Sequence, residues 1–326
     1  MTRIAPAWIV VGATSLGGCG DVQSALAPAG DEASRVALLT WILFAGAAVI
    51  LLIVGVALVL AMMGSKRSRR FLASRRAIKL GGIAFPVVTL TILLGYGVWL
   101  MRETIATDRP AALRIEVTGE QWWWRIAYAG DQGQPIAEAN ELRIPVGREV
   151  DVVLRSSDVI HSFWIPSLGG KLDMIPGRTN VLRIKAERPG IYRGQCAEYC
   201  GGAHALMALE LVAMSDAEFE NWLKAAKRPA PGGTHDGPGA ALFHSGGCGA
   251  CHAIRGTKAA GVIGPDLSRI GTRRFLAAAT IPNTPENLTR LITHGQTVKP
   301  GNAMPEFRIF SEQELRSLAT YLTSLK

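Results

Sequence analysis

The stretch Cys196-Ala197-Glu198-Tyr199-Cys200, continuing to His204 and Met207, gathers two thiols, an imidazole and a thioether into one short run. Soft sulfur donors mixed with imidazole favour copper, and two thiolates four residues apart can converge on a shared pair of metal ions. The same residues also allow a Cys196–Cys200 disulfide, a zinc site, or a plain core methionine at Met207. A second centre is legible downstream. Cys248-Gly249-Ala250-Cys251-His252 has the C-x-x-C-H spacing in which two thiols attach a haem covalently and the adjacent histidine ligates its iron. A redox dithiol or half of a zinc site would share the C-x-x-C part. Met304, within Gly301-Asn302-Ala303-Met304-Pro305-Glu306-Phe307, offers a thioether for the other side of such an iron, or else fills a core.

Elements must position these groups, and composition bounds them. The chain has 326 residues, 48% of them hydrophobic, with a mean hydropathy of +0.21. That is long enough for two modest domains plus further elements. Two apolar runs account for the high hydropathy: Val36 to Met63 and Leu80 to Met101, neither containing a charged residue. Each is long enough to cross a hydrocarbon layer of about 30 Å, and neither shows a polar face. Between them lie Lys66, Arg67, Arg69, Arg70, Arg75, Arg76 and Lys79 with no acidic residue. Basic residues are retained on the cytoplasmic side, so this loop is expected inside and both cysteine-bearing segments outside. The formal charge of +9 is therefore no nucleic-acid signature. Residues 102–226 carry 14 Lys and Arg against 17 Asp and Glu, whereas residues 227–326 carry 12 against 6. The first cysteine-bearing segment is mildly acidic and the second basic.

From Leu113 the pattern alternates with period two, as in Leu113, Ile115, Val117 and again in Val150, Val152, Leu154, with turn residues at Pro135, Pro145-Val146-Gly147, Pro166, Pro176-Gly177 and Pro189-Gly190. This predicts an all-β sandwich or barrel. A Pro- and Gly-rich stretch over 225–237 reads as a flexible linker. Beyond it Ser311 and Glu314 form a capping-box pattern ahead of Leu315, Leu318, Ala319, Leu322 and Leu325, and Thr284-Pro285 opens a second helix. At the other end, Arg3 and the apolar Ala5 to Ala13 make residues 1–18 an expected export signal.

The spacing C-x-E-x-C-x-x-x-H-x-x-M resembles the binuclear CuA motif of subunit II of haem-copper cytochrome oxidases, and Asp158-Val159-Ile160-His161-Ser162-Phe163 resembles the segment that supplies its other histidine. With the C-x-x-C-H motif downstream, the whole chain resembles the caa-type form, in which subunit II carries a fused cytochrome c domain. The resemblance implies a two-helix transmembrane hairpin within 19–109, a cupredoxin-like sandwich over 110–224 and an all-α class I cytochrome c domain over 238–326. It implies one copper on His161 and Met207, the other on His204 and the Glu198 carbonyl, with Cys196 and Cys200 bridging both. His252 and Met304 would be the axial haem ligands, Cys248 and Cys251 its attachment points, and the Pro265 carbonyl the acceptor for His252. Trp122, in Glu120-Gln121-Trp122-Trp123-Trp124, matches the tryptophan through which electrons reach CuA. Three consecutive tryptophans cannot share one face of a strand, so its neighbours have other places. The Glu198 side chain matches a ligand to a magnesium shared with subunit I. Leu16-Gly17-Gly18-Cys19 resembles a bacterial lipobox, which implies lipidation of Cys19; an ordinary cleavage site or an unprocessed leader is the alternative.

The implied function is electron transfer from haem c to CuA and on to haem in subunit I, where oxygen is reduced to water with proton translocation. The implied partners are subunit I, subunit III and a donor such as cytochrome c, with both metal domains on the outer face of a bacterial plasma membrane. A CuA-bearing subunit of a nitric oxide reductase and a membrane-anchored electron shuttle or copper chaperone are the alternatives left open by the residues.

Overall fold

A computed structural model of the chain describes residues 23–105, 110–131, 135–230 and 237–326. The expected export signal and Cys19 lie outside the described residues, as do residues 231–236 of the expected linker. Two compact units are present, Ser34–Pro110 and the remainder of the chain.

The first unit is helical. α1 (Asp31–Met63) carries Asp31 and Glu32 in its first turn, where carboxylates complement the helix dipole. Its most apolar stretch has a mean hydropathy of 3.0. The basic segment expected as a loop folds into two short helices, α2 (Lys66–Leu72) and α3 (Arg75–Lys79), each started by a serine side chain, Ser65 and Ser74, that accepts an amide N–H. A wide turn over Leu80–Ala84 then leads into α4 (Phe85–Ile105), with Phe85 N–H bonded to the Leu80 carbonyl just before Pro86, which has no N–H to give. Leu51, Leu52, Leu90 and Leu94 are among many exposed aliphatic side chains on α1 and α4. Both helices have the length and hydropathy of membrane spans.

The second unit begins with strands. Among the described residues these are β1 (Leu113–Glu120), β2 (Trp123–Tyr128), β3 (Ile136–Ala139), β4 (Glu141–Pro145), β5 (Val150–Ser156), β6 (His161–Trp164), β7 (Leu172–Met174), β8 (Asn180–Ile184), β9 (Gly190–Cys196) and β10 (Ala208–Met214). They form two five-stranded sheets, β3-β2-β1-β5-β8 and β4-β10-β9-β6-β7. The β1–β5 and β4–β10 pairs are parallel and the others antiparallel. The alternation seen in the sequence explains the packing: Ile115, Val117, Val150, Val152 and Leu154 of one sheet share a core with Phe163, Leu209 and Leu211 of the other. α5 (Asp216–Ala226) closes one side, started by a Ser215–Glu218 capping box, and buries Phe219 beside Tyr128 and Trp222.

The third section is α6 (Pro238–Ser245), a turn at Cys248–Ala250, β11 (Phe275–Leu276) paired with β12 (Ile281–Pro282), α7 (Pro285–Thr293), α8 (Gly295–Val298) and α9 (Glu312–Ser324). Ser311 and Glu314 form the expected capping box, and Leu315, Leu318, Ala319, Leu322 and Leu325 enter a second core with Phe243 and Ile292.

Up to residue 230 the stretch joining the two cores is held by specific contacts. α5 continues through Ala226, Lys227 pairs with Asp131, and Ala230 is buried in the second core with its N–H on the Arg255 carbonyl. The two cores also meet directly. Arg273 lies 3.5 Å from Glu138, both almost fully buried, and Arg274 lies 3.3 Å from Glu210 and donates its amide to Glu141 at 3.2 Å. Burial pushes the Glu138 carboxyl up despite the opposing pull of Arg273. Between β11 and β12, Ala277, Ala278 and Ala279 all take left-handed backbone angles, φ 52°, 58° and 56°. That conformation costs a residue with a Cβ about 1–2 kcal/mol. Their carbonyls accept, in order, from Lys299 Nζ at 3.0 Å, the Ala208 amide at 3.2 Å and Arg193 at 3.1 Å.

Phe219 is 1% exposed between Tyr128 and Trp222. Phe219→Ala should therefore cost about 3–5 kcal/mol. Denaturant unfolding followed by tryptophan fluorescence checks this through a lowered midpoint at unchanged slope.

Candidate metal and haem centres

One hairpin brings the first ligand set together. β9 pairs with β10, and the Cys196 amide donates to the Met207 carbonyl at 2.8 Å, so residues 197–206 must loop out and back. Cys196 and Met207 then sit at the two feet of that loop. β6 pairs with β9 so that Phe163 faces Cys196, which brings His161, two residues before it, to the same end.

The donor atoms lie close. Cys196 Sγ is 3.7 Å from Cys200 Sγ, 3.8 Å from His161 Nδ1 and 3.2 Å from the Glu198 carbonyl oxygen. Cys200 Sγ is 3.5 Å from His204 Nδ1 and 3.8 Å from Met207 Sδ. The other four groups named from the sequence thus surround the two sulfurs. Metal–thiolate bonds of about 2.3 Å span a 3.7 Å sulfur pair when one metal touches both. His161, both cysteines and Met207 are buried, and His204 is half-buried. The donor set fits a copper pair: two thiolates, two imidazoles, a thioether and a carbonyl, with water kept away.

Asp158 orients the first histidine. Its carboxylate lies 2.7 Å from His161 Nε2 and accepts the Gln121 amide at 2.6 Å. Holding Nε2–H leaves Nδ1 with its lone pair for a metal. Burial lowers the His161 pKa, but the hydrogen bonds to Cys196 and Asp158 outweigh it and leave it raised. The thiols diverge. Burial would raise Cys196, yet His161 and the backbone amides bring it down to about 7, whereas burial and the neighbouring Cys196 charge push Cys200 up to about 12. Cys196 is thus the more acidic of the two thiols. Gly119 of β1 backs the same imidazole: a Cβ there would come within 2.8 Å of His161 Cδ2.

The second set follows the same logic. The Cys248–Ala250 turn carries one attachment thiol and Cys251 caps it with the other, and the His252 amide bonds to the Cys248 carbonyl at 3.0 Å, so three groups of the motif are brought together. His252 Nδ1 is 2.8 Å from the Pro265 carbonyl, as the sequence led one to expect, which leaves Nε2 to ligate an iron. Burial lowers the His252 pKa, keeping the imidazole neutral. Gly264 lies flat against that ring; a Cβ there would sit 2.5 Å from His252 Cε1. Met304, half-buried with Phe307 and Phe310 against the second core, has its amide on Asn302 Oδ1 at 3.0 Å. These residues suit a covalent haem.

Trp122 is half-buried, Trp123 stacks under Arg125 at 4.7 Å, and Trp124 is fully buried against Phe163. The indole Nε1 of Trp122 donates to the Cys200 carbonyl at 3.0 Å, as does Gln121 Nε2 at 2.7 Å. Glu198, the second residue of the same loop, is half-buried. Sequence reasoning gave no role to Asp158, Gly119 or Lys299. Asp158, three residues before His161, was the one with a local signal; the others depend on contacts between distant segments.

Comparison with known proteins finds two families along the chain. The family described as "Cytochrome C oxidase subunit II, periplasmic domain" matches residues 132–214, and the cytochrome c family matches residues 237–326. The cytochrome c oxidase subunit 2 of Alkalihalophilus pseudofirmus is 35% identical over 257 residues, covering 77% of this chain and 73% of that one. Its counterpart in Bacillus subtilis is 32% identical over 261 residues, covering 75% and 70%. A solved periplasmic domain of subunit II of cytochrome oxidase from Bradyrhizobium japonicum is 35% identical, covering 36% of this chain and 96% of its own, with a TM-score of 0.34.

Gly119→Ala should push the His161 ring out of place at a cost of about 1–3 kcal/mol. The expected result is a perturbed copper spectrum and weaker copper retention with an unaltered haem spectrum, read by optical spectroscopy and metal analysis of the purified protein.

Proposed function

The chain belongs to the cytochrome c oxidase subunit II family, in the form that continues into a C-terminal cytochrome c domain, and we propose that it is the electron-accepting subunit of the complex. In this reading reducing equivalents arrive at the cytochrome c domain, cross to the copper domain beside Trp122 and leave to haem in subunit I, where oxygen is reduced with proton translocation. The Trp122 indole carries the proposal: it is bonded to the Cys200 carbonyl on the copper loop and packs on Gly301 of the Met304 loop, with a Cβ at Gly301 reaching within 3.0 Å of the ring.

Copper held by Cys196, Cys200, His161, His204, Met207 and the Glu198 carbonyl would supply a one-electron acceptor whose charge is shared over two metals. The protein's part is to keep that cage unchanged in both redox states. Asp158 fixes one imidazole, Gly119 leaves it room, and the hairpin feet hold Cys196 and Met207. Cys248 and Cys251 would anchor the haem, with His252 and Met304 as axial ligands that set its potential. The Glu198 side chain would offer a hard oxygen to a magnesium shared with subunit I, and a carboxylate suits that ion. The basic α2–α3 segment supports a cytoplasmic loop, which sets both redox domains on the outer face of the plasma membrane, where subunit III and a donor cytochrome would complete the set of partners. Lipidation of Cys19 would add an anchor at the same face.

Cys196→Ser or Cys200→Ser should abolish the copper pair, because a hydroxyl is a poor bridge for copper, while covalent haem stays at wild-type content. Met304→Ala should keep the haem attached yet lower its reduction potential. Metal analysis, near-infrared absorbance and a potentiometric titration of the purified complex check all three variants. Two coppers and one covalent haem in the wild-type subunit are required; an intact copper spectrum in either serine variant would sink the ligand assignment.

A further inference from the structure

Lys299 ends the chain's approach to the Pro300–Met304 turn and is 5% exposed. Burying an ammonium is costly unless it is well bonded. Its Nζ donates to two main-chain carbonyls, that of Trp122 at 2.5 Å and that of Ala277 at 3.0 Å. Burial, opposed by the charge of Cys200, brings its pKa down to about 7. So costly a group is kept by its geometry, and the geometry joins three segments: the turn leading to Met304, the left-handed alanine turn, and the tryptophan segment of the copper domain.

Trp122 is consequently held on several sides. Its carbonyl is bound by Lys299, its indole nitrogen by the Cys200 carbonyl, and its ring lies between Gly301 and Gly201, where an added Cβ would approach to 3.0 Å and 3.2 Å. The ring therefore bridges the copper-ligand loop and the loop that bears the distal thioether. We propose that Lys299 is a positioning residue for electron transfer between the two domains, tying Trp122 of the copper domain to the haem domain so that the indole stays packed between both ligand loops. The proposal rests on the function argued above. With haem and copper bound, the step would be the passage of one electron from the haem iron to the copper pair, with no bond made and no proton moved. Its rate then depends on how closely the intervening groups are held.

The test uses full-length protein in its oxidase complex, comparing wild type with Lys299→Met and Lys299→Arg. Haem and copper spectra and reduction potentials are recorded first, then the transfer rate after flash reduction of the haem, then amide hydrogen exchange over residues 121–124 in copper-depleted protein. Loss of positioning of this order slows transfer roughly ten- to a hundredfold. The expected result is that slowing in Lys299→Met at unchanged spectra and potentials, with faster exchange in the copper-depleted protein and partial recovery of both in Lys299→Arg. An unchanged transfer rate with both chromophores intact overturns the proposal. Should the methionine variant lose a chromophore, Lys299→Gln, which keeps a donor but is too short to bridge both carbonyls, is read the same way, and a wild-type rate there overturns it too. Absence of copper or haem in the wild-type protein would instead overturn the proposed function.

Discussion

The antiparallel pairing of β9 with β10, closed by the Cys196 amide on the Met207 carbonyl, is the interaction on which the rest depends. Once those two residues face each other, the ten residues between them can only project as a loop, and its two feet are already proposed ligands. Cys200 and His204 then need only the loop's own turn to come within 3.5 Å of each other. The β6–β9 register brings His161 from another strand to the same end of the sandwich. A rigid sheet pair is well suited to hold such a cage, because a site supported by strands is more precisely placed than one on loops alone. Removing that pairing would scatter the ligands without changing one of them.

A second constraint joins the two redox domains. Their charge difference, acidic before residue 227 and basic after it, could have served a loose encounter along a flexible tether. The contacts are of another kind. Glu138 and Arg273 are desolvated together, Arg274 reaches Glu210 and Glu141, and three successive alanines accept left-handed angles to present their carbonyls to Lys299, Ala208 and Arg193. A buried ion pair adds little net stability, but separating it is expensive, about 3–5 kcal/mol when one partner is removed. Strained backbone of this sort persists where its surroundings over-determine it. Both observations describe a seated interface rather than a passing one, and the seat is beside Trp122.

Much of this was legible in the sequence because the chemistry is local. The proposed ligands fall within short motifs, the helix starts at Thr284 and Ser311 carry their caps, and the apolar runs are long. What escaped has a common physical cause. The left-handed turn is built of alanines, which give no signal for positive φ; a glycine would have. Lys299 looks like any solvated lysine until the Trp122 and Ala277 carbonyls are placed around it, and those lie 177 and 22 residues away. Gly119 and Gly264 are ordinary glycines until an imidazole is set against each. The short α2 and α3 helices were hidden by their charge, since a polar helix without an apolar face leaves no periodic trace.

The central claim is that the haem and copper domains act as one seated body. The direct measurement is the rate of haem-to-copper electron transfer in the purified oxidase after flash reduction of the haem, taken across ionic strength, solvent viscosity and protein concentration. Exposed charges are screened over about 8 Å at physiological salt, whereas a buried interface is shielded from it. A seated body predicts a first-order rate that stays constant under all three changes. A rate that falls as salt or viscosity rises would mean that the domains must first diffuse together, and would contradict the account.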